Sequence, residues 1–230
     1  AAGTTLEDAL QSLLQQVFTE CKAVLFDGDN YSEEWLDEAT RRGLPNLKSA
    51  VDALPSLREP AARKLFTTYG VLSERELESR CAIMMENYIK AINIEAQLTE
   101  QIARTIILPA AVKYQQQLAA SLVTAKQALG ALEAVGVGAG RVGSAATFGP
   151  QEALLAEVTG HINGLITAID GLVHACGHDS CDEIVNHAVF SKDVIVPAML
   201  EVRKYADALE TLVDDDLWPM PKYREMLFIY

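Results

Sequence analysis

Residues 70–117 read GVLSERELESRCAIMMENYIKAINIEAQLTEQIARTIILPAAVKYQQQ, and after the opening glycine no turn signal interrupts them. Ser73 and Glu76 form an S-x-x-E capping box, in which a hydroxyl and a carboxylate satisfy N–H groups that the first helical turn leaves open. Apolar residues then recur at helical spacing: Leu77, Cys81, Met84, Met85, Tyr88, Ile92, Ile94, Leu98, Ile102 and Ile106. The pattern predicts one long helix, and a helix of that length sets the architecture. Pro109 falls inside the same periodicity, where it removes one backbone bond and crowds the preceding turn, so a kink is expected there. Helical spacing resumes through Val112, Leu118, Leu122, Ala125 and Leu129.

Working outward, Thr4 or Thr5 can cap a first helix whose apolar face carries Leu6, Leu10, Leu13, Leu14, Val17 and Phe18. AVLFDGDN ends that helix with a turn around Gly28. Ser32 then caps a short helix through Trp35 and Ala39 to Arg42, stopped by Gly43 and Pro45. Residues 46–69 hold two short helical pieces broken by Pro55 and Pro60. On the other side, residues 136–150 are a glycine-rich connection. A helix is expected from Gln151 to Cys176, a turn over 177–180, and a last long helix from Asp182 to Val213 with Pro197 inside it. Ile107-Leu108-Pro109-Ala110 resembles Ile195-Val196-Pro197-Ala198. That is either a coincidence of short strings or an echo that puts two kinks at a similar height on facing helices. No segment alternates long enough to propose a strand. The expected fold is all-α: an elongated antiparallel helical bundle with three long helices and shorter N-terminal helices. Its expected segments are 1–25, a short-helix linker region over 26–72, and a long-helix bundle over 73–230 with an apolar C-terminal tail.

Composition agrees with helix over sheet. Half of the 230 residues are hydrophobic but only 7% are aromatic, and Ala, Leu, Glu and Gln dominate. The formal net charge of −13 argues against nucleic acid or an anionic membrane as partner, because phosphates need basic patches. No run of about eighteen apolar residues exists to span a membrane. The start, AAGTTLEDAL, lacks the basic and apolar regions of a signal peptide, and it lacks Met, as a processed protein or excised fragment would. Of four cysteines, Cys21 and Cys81 fall on apolar helix faces, where a reduced buried thiol is normal, so a cytoplasmic compartment is expected.

Four motifs invite chemical tests. Asp27-x-Asp29 after an apolar run resembles the nucleophile loop of haloacid-dehalogenase-like phosphatases, with Asp214, Asp215 and Asp216 as possible metal acids. That loop needs a strand end and a Thr or Val at position 31, which is Tyr; the competing expectation is an acidic turn capping the next helix. A calcium loop counted from Asp27 fails because its sixth position is Ser32 rather than Gly, and its ninth is Trp35. Gly138, Gly140 and Gly143 spell G-x-G-x-x-G, but a helix precedes them where dinucleotide binding needs a strand, so a hinge between helices is expected. His174, Cys176, His178 and Cys181, with His187 nearby, could bind zinc from a helix–turn–helix end. The spacing is not one of the usual zinc patterns, and the set is tight, so a polar hairpin tip is the competing expectation. A Cys176–Cys181 disulfide would need an oxidising compartment. No nucleophile elbow or phosphate-binding lysine loop appears, and Glu95 and Glu100 sit on expected helix surfaces. No catalytic, cofactor-binding or metal residue is therefore assigned.

GVLSERELESR, IKAINIEAQ and ILPAAVKY resemble the C-terminal region of type III glutamine synthetases. LFDGDNYSEEWLDEATRRGLPNLKSAVDALP and DVIVPAMLEVRKYADALETLVDDDLWPMPKYREMLF join them in the family's order. Residues 129–186, with the Cys/His cluster, carry little specific resemblance. The resemblance implies a non-catalytic helical part of an enzyme that joins ammonia to glutamate using ATP and Mg2+, whose catalytic residues lie upstream. It also implies that residues 1–25 match the end of that catalytic domain. The implied partners are the chain's own catalytic domain and other subunits of a double-ring homo-oligomer. The tail, LWPMPKYREMLFIY, is expected to pack along the bundle or onto a neighbouring domain.

Overall fold

The computed structural model describes residues 5–134, 148–177, 183–221 and 223–227. Among these the regular structure is entirely helical, as expected for an all-α chain. The chain divides into two compact units, residues 1–56 and 57–230.

The first unit holds α1 (Leu6–Glu20), α2 (Glu33–Arg41) and α3 (Ala50–Ala53). Each begins with a hydroxyl cap: Thr5 accepts from the Asp8 N–H, Ser32 from Trp35 and Ser49 from Asp52. Helix α2 ends in a Schellman turn, with the Leu44 N–H bonded to the Ala39 carbonyl and Gly43 to Thr40. Gly43 takes φ +73° there, a left-handed conformation that a Cβ would strain. Few apolar side chains are buried in this unit, chiefly Ala39 and Val51. Polar contacts do more of the tying. Arg42 Nη1 donates to the carbonyls of Lys22, Ala23 and Leu25 at 3.3, 3.3 and 2.5 Å, closing the 3-10 turn that follows α1. Its guanidinium also lies 5.9 Å from the Trp35 ring, which packs on Phe26 at 4.7 Å.

The first helix of the second unit is α4 (Pro60–Thr68), which carries Pro60 in its first turn, where a missing N–H costs no helical bond. Gly70 repeats the Schellman ending at φ +63°. Then comes α5 (Glu74–Ile102), opened by the capping box: the Glu76 carboxylate accepts the Ser73 N–H at 2.8 Å, and Ser73 Oγ accepts the Glu76 N–H. Arg58 and Arg63 both pair with Glu78, at 2.6 and 3.2 Å, holding the segment before α5 against it.

The buried face of α5 is Leu77, Cys81, Met85, Ile89, Ile92 and Ala96. Met84, Ile94, Leu98 and Ile106, part of the expected apolar stripe, are exposed instead. The core face is lined with small side chains toward its C-terminal end, namely Ala96, Ala103, Ala110 and Ala111. Small residues let helices approach closely, whereas a count of large apolar residues points elsewhere.

Helix α5 runs on through a π turn, Ala103–Ile107, into α6 (Leu108–Ala134). The Leu108 N–H bonds back to the Ala103 carbonyl, five residues away. Pro109 follows, without an N–H. The same device recurs in the last long helix. There α8 (Ile184–Phe190) passes through a π turn, Ser191–Ile195, into α9 (Val196–Glu210). The Val196 N–H bonds to the Ser191 carbonyl, and Pro197 follows. The Leu-Pro-Ala and Val-Pro-Ala strings therefore mark equivalent turns. Each widened turn shifts the hydrogen-bond ladder just before the residue that cannot donate.

Helix α7 (Gly149–Gly177) packs against both α6 and α9. Three side-chain pairs set its antiparallel register on the first long helix: Lys126–Glu152, Gln115–Thr159 at 2.7 Å, and Arg104–Asp170 at 3.3 Å. Val158, Ile162, Leu165, Ile169 and Leu172 of α7 form the centre of the core with Ile92, Ile107, Ile195, Val202 and Leu209. Side chains of that size are worth about 1.5–3 kcal/mol each when fully buried. Against α9 the fit is closer still, for the Tyr205 ring lies where a Cβ on Gly164 would be, 2.2 Å away.

After α9 the chain turns at Asp214. The Asp214 side chain accepts the Asp216 N–H at 2.9 Å, and its carbonyl accepts the N–H groups of Leu217 and Trp218. That turn delivers Trp218 into the core, with Leu217 and Met220 packed beside it. The first half of the apolar tail thus lies along the helices. Met226 and Leu227 of α10 (Tyr223–Leu227) are exposed.

Candidate functional site

The residues singled out for chemistry do not converge among the described residues. Asp27 and Asp29 stand in an irregular segment, not at a strand end. Asp29 Oδ1 accepts the Tyr31 N–H at 2.9 Å and its carbonyl accepts the Ser32 hydroxyl at 2.7 Å, so the segment is the acidic turn that leads into the α2 cap. Asp214 is engaged in the turn before Trp218. No strand exists among the described residues to build a phosphatase site. Of the Cys/His set, His174 is exposed and Cys176 half-buried on the last turn of α7, while His187 is half-buried on α8. His178, Cys181 and the glycine-rich Gly138–Gly143 motif lie outside the described residues. Among the described residues, no three His, Cys, Asp or Glu side chains group as metal ligands, so they offer no cluster to hold Mg2+. Cys21 caps the end of α1 and is exposed, rather than on a buried face; Cys81 is buried.

What the geometry offers instead is uncovered apolar surface. Every residue of α1 is exposed, and its stripe of Leu6, Leu10, Leu13, Leu14, Val17 and Phe18 has no cover, with Phe18 59% exposed. The stripe recurs at helical spacing, so these side chains share one face of α1. Single exposed apolar residues are ordinary on a protein surface, but six large ones on one face are a contact surface without its contact. A second apolar face runs along α5. Ile83, Ala91, Ile94 and Leu98 are exposed, and at about 100° per residue they lie on the side of the helix away from the core. Leu98 leads into a groove of about 430 Å³ that Ile102, Ala103 and Ile107 share with Met199 and Leu200.

The charges that shift are ones that hold elements in place. Glu38 accepts from Arg41 Nε and Nη2 at 2.7 and 2.6 Å and from Arg42 Nε at 2.6 Å, and those bonds, Arg41's first, hold its carboxyl below the ordinary value of 4.5. The Ser73 backbone N–H, and then its hydroxyl, lower Glu76 in the same way. Lys204 is raised by its hydrogen bond to Glu201. None of the three is poised near neutrality as a general acid or base.

Fold and surface together define an all-helical protein with uncovered apolar faces on α1 and α5 and with polar side chains that serve caps, turns and ion pairs. Comparison with known proteins places it more closely. The family model described as glutamine synthetase C-terminal domain matches residues 9–126, and the chain belongs to that family. It is 34% identical to the type-3 glutamine synthetase of Dictyostelium discoideum, over 97% of this chain and 29% of that protein. It is 32% identical to a glutamine synthetase of Butyrivibrio fibrisolvens, over 99% of this chain and 31% of the relative. A glutamine synthetase of Bacteroides fragilis is 28% identical over 98% of this chain and 30% of its own length. The chain thus spans about 30% of the length of these relatives. No helix among the described residues is long and apolar enough to cross a membrane.

Proposed function

We propose that this chain is the non-catalytic C-terminal part of a type III glutamine synthetase and serves the assembly and stability of the parent enzyme. The observation that carries the proposal is α1, a well-capped amphipathic helix with six large apolar side chains on one face and none of its residues buried. Such a face is unfavourable in water and favourable against a partner, and the relatives' greater length supplies the polypeptide to cover it. The parent reaction, ATP-dependent ligation of ammonia to glutamate with Mg2+, would then use residues outside this chain. The partners would be the chain's own catalytic domain and the other subunits of a double-ring homo-oligomer, in the cytoplasm. The test is the full-length polypeptide cut just ahead of residue 1. The expected outcome is a remainder that still binds ATP but fails to assemble. A remainder that assembles and turns over like the full-length enzyme would contradict the proposal.

A further inference from the structure

We propose that the outward face of α5, with the groove it shares with α9, is the surface through which two copies of this chain pair about a two-fold axis, a pairing that rests on the assembly role proposed above and gives it one named partner.

Helical geometry fixes which side chains share that face. The core side of α5 is marked by Cys81, Met85, Ile89, Ile92 and Ala96. At about 100° per residue the opposite side carries Ile83, Asn87, Ala91, Ile94, Leu98 and Gln101. All six are exposed, Ile94 at 65%. Three large aliphatic side chains and an alanine thus form a strip, with only amides beside them. At Leu98 the strip runs into the groove of about 430 Å³. The far wall of that groove is Met199 and Leu200, the latter 58% exposed, and Ala103 and Ile107 also line it. A ridge beside a groove is a surface that can seat a copy of itself, because on a two-fold contact each ridge enters the other's groove.

Charge selects the occupant. The chain carries a net charge of −13, so two copies repel unless the faces that meet are free of excess acid. None of the six residues of the strip is charged. The acids of the same stretch stand at its flanks, and two of them are paired within the helix, Glu86 with Lys90 at 3.2 Å and Glu100 with Arg104 at 3.3 Å. Glu95 lines the groove together with Arg203 and Asp207, so both signs are present there. Asn87 and Gln101 supply donors and acceptors to a contact without adding charge. The stripe on α1 differs. That helix carries Glu7, Asp8 and Glu20 and no basic residue, so two α1 faces brought together would set acid against acid. A second copy therefore fits α5, and a different partner fits α1.

The experiment is sedimentation equilibrium on the chain itself in three forms: unmodified, Ile94→Asp with Leu98→Asp, and Leu10→Asp with Leu14→Asp. The expected result is a monomer–dimer equilibrium that the α5 pair weakens by about thirtyfold or more, the loss expected at the centre of a contact, and that the α1 pair leaves in place. Gln101→Glu adds an acid at a position already in water, so it leaves the fold intact and should weaken the dimer too, more at low salt than at high. An unmodified chain that stays monomeric, a dimer untouched by the α5 substitutions, or one lost with the α1 substitutions would overturn the proposal. The assembly role fails by a different result: a remainder cut ahead of residue 1 that still assembles contradicts that role and leaves the dimer of this chain in place.

Discussion

Single residues decide how closely these helices fit and when the small unit holds together. Gly164 exists for Tyr205: a Cβ would sit 2.2 Å from the ring, so Gly164→Ala must push the tyrosine out of its seat between α7 and α9. The expected cost is about 1–3 kcal/mol in denaturant unfolding, with little change in m-value. Gly171→Ala, on the same helix, should cost nothing. Glu38 is the residue that ties the first unit to pH. Its folded pKa is depressed by Arg41 and Arg42, so its contribution is fully present above the unfolded value and is lost as pH falls through the lower folded one. Acid titration of stability should therefore be steeper below pH 4.5 in the native chain than in Glu38→Gln, with the two converging once the carboxylate is protonated. Equal slopes would mean that the Arg42 clasp on Lys22, Ala23 and Leu25 holds without Glu38.

At the scale of elements, caps were legible in the sequence and burial only in part: Leu77, Cys81, Met85 and Ile92 are buried as their spacing indicated, while Met84, Ile94 and Leu98 are not. Thr5, Ser32 and the Ser73–Glu76 box each open a helix as their residue types dictate, because capping is a local interaction with local partners. Gly43 marked an end for the same reason, and Gly70 ends α4 in the same way. Gly70→Ala should destabilise the second unit by about 1–2 kcal/mol, since its φ of +63° is costly for any residue with a Cβ. A thermal melt unchanged by that substitution would show that the Schellman turn relaxes freely. Pro109 and Pro197 announced a break in each long helix, but not its form. The π turn adds a residue to one turn and rotates everything beyond it. The core face of α5 was partly misplaced because some of its contacts are made by Ala96 and Ala103, which a scan for large apolar side chains passes over. The Asp27–Asp29 segment looked like chemistry only while its context was open; between two helices it is a turn.

The whole molecule was legible as an all-α member of its family, and strings such as YGVLSERE and DDDLWPMP form a helix cap and a turn in the fold. Which surfaces it presents was not legible. The stripe on α1 is plainly apolar in sequence, but whether a neighbour covers it depends on polypeptide that a helical period does not describe. The measurement that tests the account most directly puts charge on that face. Leu10→Asp and Leu14→Asp are introduced together, in this chain alone and in the full-length enzyme. The account predicts an unchanged melting temperature for the chain, whose α1 face is already in water, and loss of assembly by native mass spectrometry for the full-length enzyme. A full-length double variant that assembles and turns over normally would contradict it.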